Sequence, residues 1–213
     1  MSIQKSELRG RIDRVLTSFG WDPSSPRLGA TLSQRLGQWA SLVCDWNQRI
    51  DLTAARSADE LVDLLVADAA IIARELTIAT GAWVDVGSGA GAPGLPIAVL
   101  APGLALTLVE PKAKRVAFLR TVAGELDRPD VRVLRNRAEE LPPLQFSDAV
   151  SRATLAPADW LAAGARLATD RVWVLLANDE PPTLTQWALE LDRTYTWPLT
   201  GARRRLLRYA RIS

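Results

Sequence analysis

From Trp83 onward, short apolar runs alternate with segments of helical periodicity, and this alternation constrains the fold more than any other feature of the sequence. Because consecutive parallel strands are usually joined by a helix, the alternation predicts an α/β domain built on a parallel sheet. We expect strands at 82–86, 104–109, 131–135, 146–150, 171–176 and 204–210, with another near 195–197. Helices are expected at 94–101, 112–126, 157–168 and 183–190.

The first 80 residues have a different pattern, with apolar residues such as Leu32, Leu36, Trp39 and Val43 at helical spacing. We predict three helices there, at 3–19, 25–49 and 57–79, the last with a capping box formed by Ser57 and Glu60. Residues 1–80 are therefore expected to form a helical extension, and residues 81–213 the sheet core, of a single domain 1–213. A chain of 213 residues can bury enough surface to fold without disulfides or a structural metal.

The composition excludes several kinds of chemistry. The chain has no histidine, which removes Ser-His-Asp hydrolysis and histidine-ligated metals, and its single cysteine, Cys44, cannot form a disulfide framework. No metal requirement is expected. The 26 basic and 24 acidic residues give a net charge of +2, too small to indicate a nucleic-acid partner by itself. Without a visible signal peptide or membrane span, we expect a cytoplasmic protein.

A glycine-rich turn, Gly87-Ser88-Gly89-Ala90-Gly91, lies between a predicted strand and a predicted helix. Glycines let the backbone approach a ligand closely, and the helix start presents free amide groups to it. Glu110 ends the next strand, where a carboxylate can accept hydrogen bonds from the two hydroxyls of a ribose. The turn and Glu110 together indicate a cofactor that contains a nucleoside.

Two classes of cofactor fit this pattern. Gly89, Gly91 and Gly94 match the dinucleotide fingerprint, and Glu110 follows at close to the expected distance. However, Pro93 lacks an amide donor where a pyrophosphate needs one, and Asp85 adds a negative charge. A carboxylate at position 85 suits a ligand that carries an ammonium and a sulfonium group.

Three stretches of the sequence resemble the bacterial small-subunit ribosomal RNA guanine-N7 methyltransferases, the glucose-inhibited division protein B family. They are Asp85 to Gly91 with Gly94-Leu95-Pro96; Lys114-Arg115-Val116 with Phe118-Leu119-Arg120; and Trp46-Asn47 with Asp51-Leu52-Thr53. Arg137-Ala138-Glu139-Glu140 and Ser151-Arg152-Ala153 extend the similarity over about residues 40–155. The resemblance implies a Rossmann-like S-adenosylmethionine methyltransferase sheet with an N-terminal helical extension.

The resemblance also implies roles for individual residues. Asp85, Gly87, Gly89, Gly91 and Ala92 are expected along the methionine and adenosine parts of S-adenosylmethionine, Glu110 at its ribose, and Ala138 and Glu139 near its adenine. Arg152 is expected at the mouth shared by cofactor and substrate, where it would be the catalytic residue. An exposed arginine that caps strand carbonyls is the structural alternative for Arg152.

The implied substrate is a guanine in 16S ribosomal RNA or the small ribosomal subunit. Guanine N7 already has an in-plane lone pair and needs no deprotonation, so its methylation requires alignment and no histidine base. Trp46 or Trp173 could steady the positive charge left on the base, although core packing is the simpler interpretation of each.

Several positions depart from the family pattern. An Arg-His pair of the family corresponds to Leu64 and Leu65, a Lys-Gly pair at the end of the fifth strand corresponds to Leu176 and Ala177, and an asparagine corresponds to Asp51. Arg56, Arg135, Arg137 and the C-terminal arginines between Arg203 and Arg211 are candidate replacements for the lost positive charge. A methyltransferase with another substrate, or a module that binds cofactor or RNA without catalysis, remain alternatives.

Overall fold

The computed structural model describes residues 7–27, 29–76, 81–152 and 154–212. The N-terminal part is helical, as predicted, and contains α1 (Leu8–Ser18), α2 (Leu32–Asn47), α3 (Ala58–Val62), a π-helical turn (Asp63–Ala67) and α4 (Asp68–Arg74). The predicted helix 3–19 includes residues 3–6, and the predicted helix 57–79 includes residues 77–79; these seven positions lie outside the described residues.

The predicted start of the second helix, residue 25, is wrong, because α2 begins at Leu32. Two short strands, β1 (Pro26–Arg27) and β2 (Ala30–Thr31), form a hairpin before α2 begins. Thr31 then caps the helix: its hydroxyl accepts a hydrogen bond from the Gln34 amide at 3.2 Å, and the Gln34 side chain accepts one from the Thr31 amide at 2.7 Å. The predicted cap at Ser57 is confirmed, since its hydroxyl accepts a hydrogen bond from the Glu60 amide at 3.1 Å.

The rest of the chain forms a seven-stranded sheet with strand order β5-β4-β3-β6-β7-β9-β8. Its strands are β3 (Gly81–Val86), β4 (Leu104–Val109), β5 (Arg132–Leu134), β6 (Phe146–Ser151), β7 (Ala168–Leu176), β8 (Trp187–Thr196) and β9 (Arg203–Arg211). The first five strands are parallel, and helices α5 (Gly94–Leu100), α6 (Ala113–Glu125) and α7 (Pro157–Leu167) lie between them along the chain. The parallel sheet and the three connecting helices agree with the prediction.

The predicted helix at 183–190 is wrong. Residues 187–196 form the edge strand β8, which pairs antiparallel with β9, and β9 pairs antiparallel with β7. The apolar residues of this segment are also compatible with one face of a short helix. Thr194, Tyr195 and Thr196 favour a strand. The segment is a strand because it pairs with β9 from Trp187 to Thr196. The sheet therefore ends in an antiparallel hairpin.

The helical extension packs on one face of the sheet. Trp39 and Ile72 from the helices belong to the same buried cluster as Trp83, Trp173 and Leu206 from the strands. The indole of Trp39 donates a buried hydrogen bond to the carbonyl of Ala90 at 3.0 Å, so α2 directly supports the glycine-rich turn. A second cluster on the other face joins α7 to β6, β7 and β9.

The strand order fixes where a ligand can bind. The chain passes from β3 to β4 and β5 on one side and then returns to β6 on the other side of β3. In open α/β sheets, ligands bind beyond the carboxyl ends of the strands at the point where the order reverses. Val86, which ends β3, and Ser151, which ends β6, are paired at this point.

Candidate active site

The glycine-rich turn after β3 is fixed by hydrogen bonds to the neighbouring strand. The amides of Gly87 and Ser88 both donate to the carbonyl of Val109, at 2.8 Å and 3.1 Å. Gly87 has a φ of +72°, and a Cβ at this position would lie 2.2 Å from the hydroxyl oxygen of Thr154. Only glycine fits here without strain, because the conformation and the space both exclude a side chain.

Asp85, near the end of β3, is buried beneath this turn. One carboxylate oxygen accepts a hydrogen bond from the Gly94 amide at 3.0 Å, and the other has no hydrogen-bond partner among the described residues. Burial raises the pKa of Asp85 to about 7, opposed by the Gly94 hydrogen bond and the positive charge of Arg152. An acceptor oxygen without a partner suits a cationic ligand group, received directly or through water.

Glu110 follows β4 and is also buried, with 2% of its surface exposed. Its two carboxylate oxygens accept hydrogen bonds from the amides of Gly89 at 3.1 Å and Lys112 at 2.9 Å. These contacts hold the carboxylate against the glycine-rich turn. A carboxylate so placed retains lone pairs that can accept hydrogen bonds from ribose hydroxyls.

A cavity of about 390 Å³ opens over these elements. Four of the predicted cofactor residues, Gly87, Gly89, Ala92 and Glu110, line it together with Arg152. Leu52 and Thr53 close it from the helical extension, and Lys112 and Arg115 lie at the side of α6. The cavity has the size of a small-molecule site, and its glycine backbone, the buried Glu110 carboxylate and its apolar walls fit S-adenosylmethionine; Asp85 lies beneath the turn and does not line the cavity.

Arg152 stands between this cavity and a second one. Its guanidinium donates a hydrogen bond to the carbonyl of Leu64, in the π-helical turn, and lies 3.4 Å from a carboxylate oxygen of Asp68. The other Asp68 oxygen accepts hydrogen bonds from the hydroxyl of Tyr195 at 2.6 Å and the indole of Trp197 at 2.7 Å. Arg152 is thus held in place by partners in the helical extension.

The second cavity, of about 340 Å³, lies beyond the ends of β6 and β7. Arg152, Leu64 and Thr154 line both cavities, so the two are neighbours. Its other walls include Trp160, Leu176, Asp179, Trp197 and Arg204. Sequence reasoning missed Trp160, Asp179 and Trp197, since no motif surrounds them and only the hairpin β8–β9 brings Trp197 to this edge.

The remaining predicted site residues lie elsewhere. Ala138 and Glu139 form a short 3₁₀ turn after β5, where Ala138 is half-buried and Glu139 exposed, and neither lines the cofactor cavity. Gly91 also stays outside the cavity lining; its lack of a side chain makes room for Leu95, which a Cβ would approach to 2.3 Å. Trp173 is buried in the core against Trp83, and Trp46 packs edge-on against Phe118.

The candidate replacements for positive charge divide into two groups. The C-terminal arginines are mostly engaged within the protein: Arg205 pairs with Asp192, Arg208 lies 3.3 Å from Glu190, and Arg211 donates to three backbone carbonyls. Arg56, Arg135 and Arg137 are exposed. Asp51, at the position of the family's asparagine, receives hydrogen bonds from Arg115.

Among the described residues, no helix is long and apolar enough to cross a membrane, and no group of histidine, cysteine or acidic residues could hold a metal ion.

Solved structures with this architecture define its class. The chain is similar to a 1,6-didemethyltoxoflavin-N1-methyltransferase from Burkholderia thailandensis solved with S-adenosylhomocysteine, with a TM-score of 0.52 and 15% identity over 84% of this chain and 88% of that one. It is also similar to a SAM-dependent methyltransferase from Aquifex aeolicus, with a TM-score of 0.50 and 15% identity, covering 71% and 92% of the two chains. The fold is that of the Rossmann-like, S-adenosylmethionine-dependent methyltransferases.

The family follows from the sequence comparisons. The model of the family described as rRNA small subunit methyltransferase G (GidB) matches residues 32–176, and the chain belongs to this family. The protein of that name from Myxococcus xanthus is 30% identical over 86% of this chain and 90% of its own length. Its counterpart from Paracoccus denitrificans is 38% identical over 59% of this chain, and that match spans 64% of the Paracoccus protein.

Proposed function

We propose that this protein transfers a methyl group from S-adenosylmethionine to N7 of a guanine in 16S ribosomal RNA of the small ribosomal subunit. The observation that carries the proposal is the arrangement of the two cavities at the sheet edge. The first is lined by the Gly87 backbone, in a conformation that favours glycine, and by the buried carboxylate Glu110; Asp85 is buried beneath its glycine-rich turn, and Arg152 lines both cavities. Membership of the rRNA small subunit methyltransferase G family supports the substrate. We expect the protein to act in the cytoplasm, where that RNA is found.

Each part of the first cavity has a proposed role toward the cofactor. Glu110 accepts hydrogen bonds from the ribose hydroxyls, while the amides and carbonyls of the turn from Gly87 to Gly91 surround the methionine part. Asp85 lies below the turn and offers its unpartnered oxygen to the positive end of the cofactor. Ala92 lines the same cavity, and Ala138 with Glu139 is proposed to lie near the adenine.

The proposed chemistry is a direct displacement. Bound S-adenosylmethionine supplies an electrophilic methyl group on a sulfonium. The N7 lone pair would form the new N–C bond as the C–S bond breaks and the C–S electron pair leaves on the sulfur, so no residue of the protein would have to take up or donate a proton. The protein contributes alignment, which is consistent with a chain that has no histidine. Arg152 acts as the residue at the junction, where it contacts both ligands.

We further propose that the helical extension, residues 1–80, and the sheet core, residues 81–213, act as one domain 1–213. Asp68 and Leu64 of the extension hold Arg152 of the core, and Trp39 supports the glycine-rich turn. Removing the extension would therefore remove one wall of the cofactor cavity, which includes Leu52 and Thr53.

Calorimetric titration with S-adenosylmethionine and with NAD tests the cofactor part of the proposal. We expect saturable binding of S-adenosylmethionine at one site and none of NAD. Binding of NAD in preference would return the glycine-rich turn to the dinucleotide-binding class. Transfer of label to isolated small subunits, with large subunits as the control, tests the substrate part. Label on both subunits alike would contradict the proposed specificity.

A further inference from the structure

Most residues that line the second cavity do not line the cofactor cavity. It shares Arg152, Leu64 and Thr154 with the cofactor cavity, so an occupant would lie next to the cofactor. Its volume of about 340 Å³ is at the lower end of the range for small-ligand sites, roughly 300–1,000 Å³. The cavity can therefore hold one small planar group attached to a larger molecule outside.

One wall of this cavity is aromatic and positively charged. The guanidinium of Arg204 lies 4.0 Å above the ring of Trp197, and both residues line the cavity together with Trp160. The hydrogen bond from the Trp197 indole to Asp68 fixes the orientation of the ring. Enzymes that modify a nucleic-acid base take it out of the stack and hold it between aromatic or apolar side chains, and guanidinium planes also stack on bases.

Asp179 supplies a hydrogen-bond acceptor to the same cavity. Its side chain is exposed, it lines the cavity after the end of β7, and it forms no hydrogen bond or ion pair within the part of the chain that the structure describes. The Watson–Crick edge of guanine carries two neighbouring donors, N1–H and the 2-amino group, which one carboxylate can receive together. Adenine presents an acceptor at N1 and cannot make this pair of bonds.

We propose that the second cavity is the binding site for the target base, with Trp197 and Arg204 as its stacking wall and Asp179 as the residue that selects guanine. The proposal rests on the proposed function, because it names the site at which that substrate base is held. The same cavity includes Leu64, from the position of the Arg-His pair that the family resemblance implies, and Leu176 and Ala177, from the position of its Lys-Gly pair. Arg204 supplies a positive charge to this cavity from the hairpin β8–β9.

Nucleoside binding tests the site without requiring methyl transfer. Guanosine and adenosine are titrated separately into the full-length protein, and tryptophan fluorescence is recorded for the wild type, Asp179→Ala and Glu180→Ala. Glu180 is the matched control, since it is an exposed carboxylate one residue away that does not line the cavity. We expect the wild type and the control to bind guanosine at least about tenfold more tightly than adenosine, and Asp179→Ala to lose this preference.

A further variant, Trp197→Phe, reports on the stacking wall. It keeps an aromatic ring but loses the indole, so guanosine should cause a smaller fluorescence change than in the wild type. Trp187→Phe is its control, because Arg211 lies over the Trp187 ring at 4.7 Å in a similar pair outside the cavity.

Three results would overturn the proposal: no saturable binding of guanosine, equal affinity of the wild type for the two nucleosides, or an unchanged preference in Asp179→Ala. Methyl transfer to small subunits, measured in parallel, separates this inference from the proposed function. If the wild type methylates small subunits but Asp179→Ala still prefers guanosine, the proposed base site is wrong and the proposed function stands. If the wild type selects guanosine but methylates no small subunits, the base site stands and the proposed function is wrong.

Discussion

Gly87 lines the candidate site in a backbone conformation that favours glycine. We predict that Gly87→Val abolishes S-adenosylmethionine binding in calorimetry, because its side chain would enter the space between the turn and Thr154. The positive φ adds a cost in stability of about 1–2 kcal/mol. Gly29→Ala is the control, since Gly29 has a φ of +78° but no atom within 4 Å of the added Cβ. Unchanged cofactor affinity in Gly87→Val would remove the turn from the site.

Asp85 gives the protein a distinct pH dependence. Its folded-state pKa of about 7 lies above the unfolded value of about 3.9, so the folded state binds more protons between these limits. The contribution of Asp85 to the free energy of unfolding therefore falls as the pH rises from about 4 to about 7, by up to about 1.4 kcal/mol per pH unit. Asp85→Asn should remove this decline. Urea unfolding of both proteins across the range measures it, and parallel pH profiles would contradict the assigned burial effect.

Arg152 lines the two cavities and is partly buried, and the carbonyl to which it donates, that of Leu64, lies in the π-helical turn and not at a strand end. We predict that Arg152→Ala lowers methyl transfer at least about tenfold by loosening the junction, at a cost in stability of about 1.5–3 kcal/mol because the buried Asp68 loses its cation. Arg205→Ala, which removes an ion pair with Asp192 on the hairpin, is the control and should retain activity. A wild-type rate of methyl transfer in Arg152→Ala would show that Arg152 has no role in the reaction.

At the scale of elements, the hairpin β8–β9 is attached to the helical extension through buried carboxylates. Asp68 accepts hydrogen bonds from Tyr195 and Trp197, and Asp63 accepts hydrogen bonds from the amide and hydroxyl of Thr200, both at 2.8 Å. Burial raises the pKa of Asp63, and the Thr200 hydrogen bonds oppose this rise. The π-helical turn between Asp63 and Ala67 therefore contributes contacts both to the hairpin and to Arg152.

We predict that Tyr195→Phe lowers the free energy of unfolding by about 1.5–3 kcal/mol, since it removes a hydrogen bond to a buried charged acceptor. Tyr209→Phe is the matched control, because Tyr209 lies on the same hairpin but its hydroxyl donates to a neutral acceptor, the carbonyl of Pro182. Its loss should cost only about 0.5–1.5 kcal/mol. Chemical denaturation measures both; equal losses would show that the Asp68 contact has no special strength.

The elements that the sequence predicts well are those with a local signal. The strands at Trp83 and Leu104 are bounded by glycine or proline, and Ser57 with Glu60 marks a helix start, so their positions are confirmed. Residues 183–190 lack such a signal. From Trp187 onward the chain is a strand because it pairs with β9, and the local sequence pattern does not reveal this pairing. The strands β1 and β2 were missed because two residues are too few to show an alternating pattern.

In the candidate site, too, the residues with a local sequence signal are predicted and those brought together only by the fold are not. Gly87, Glu110 and Arg152 carry motifs or strand-end positions, and the structure brings them together at one cavity. The second cavity combines Asp68, Asp179 and Trp197, which come from three distant parts of the chain. Their proximity depends on the docking of the hairpin against the extension, and no spacing in the sequence reveals it.

The distribution of charge also belongs to the whole molecule. The net charge of +2 is small, and the arginines of β9 are largely engaged with Asp192, Glu190 and backbone carbonyls. RNA binding through phosphates would therefore depend on exposed arginines such as Arg56, Arg135 and Arg137. The number of phosphates that such arginines neutralise would set how strongly salt weakens the interaction.

Methylation of guanine N7 is tested most directly by incubating the protein with labelled S-adenosylmethionine and small ribosomal subunits that lack the modification, then digesting the RNA and identifying the labelled nucleoside. We predict that 7-methylguanosine carries the label, at a single position of the 16S RNA, and that Gly87→Val gives none. Label in a different nucleoside, or no label while S-adenosylmethionine is bound, would contradict the assignment of guanine N7 as the acceptor.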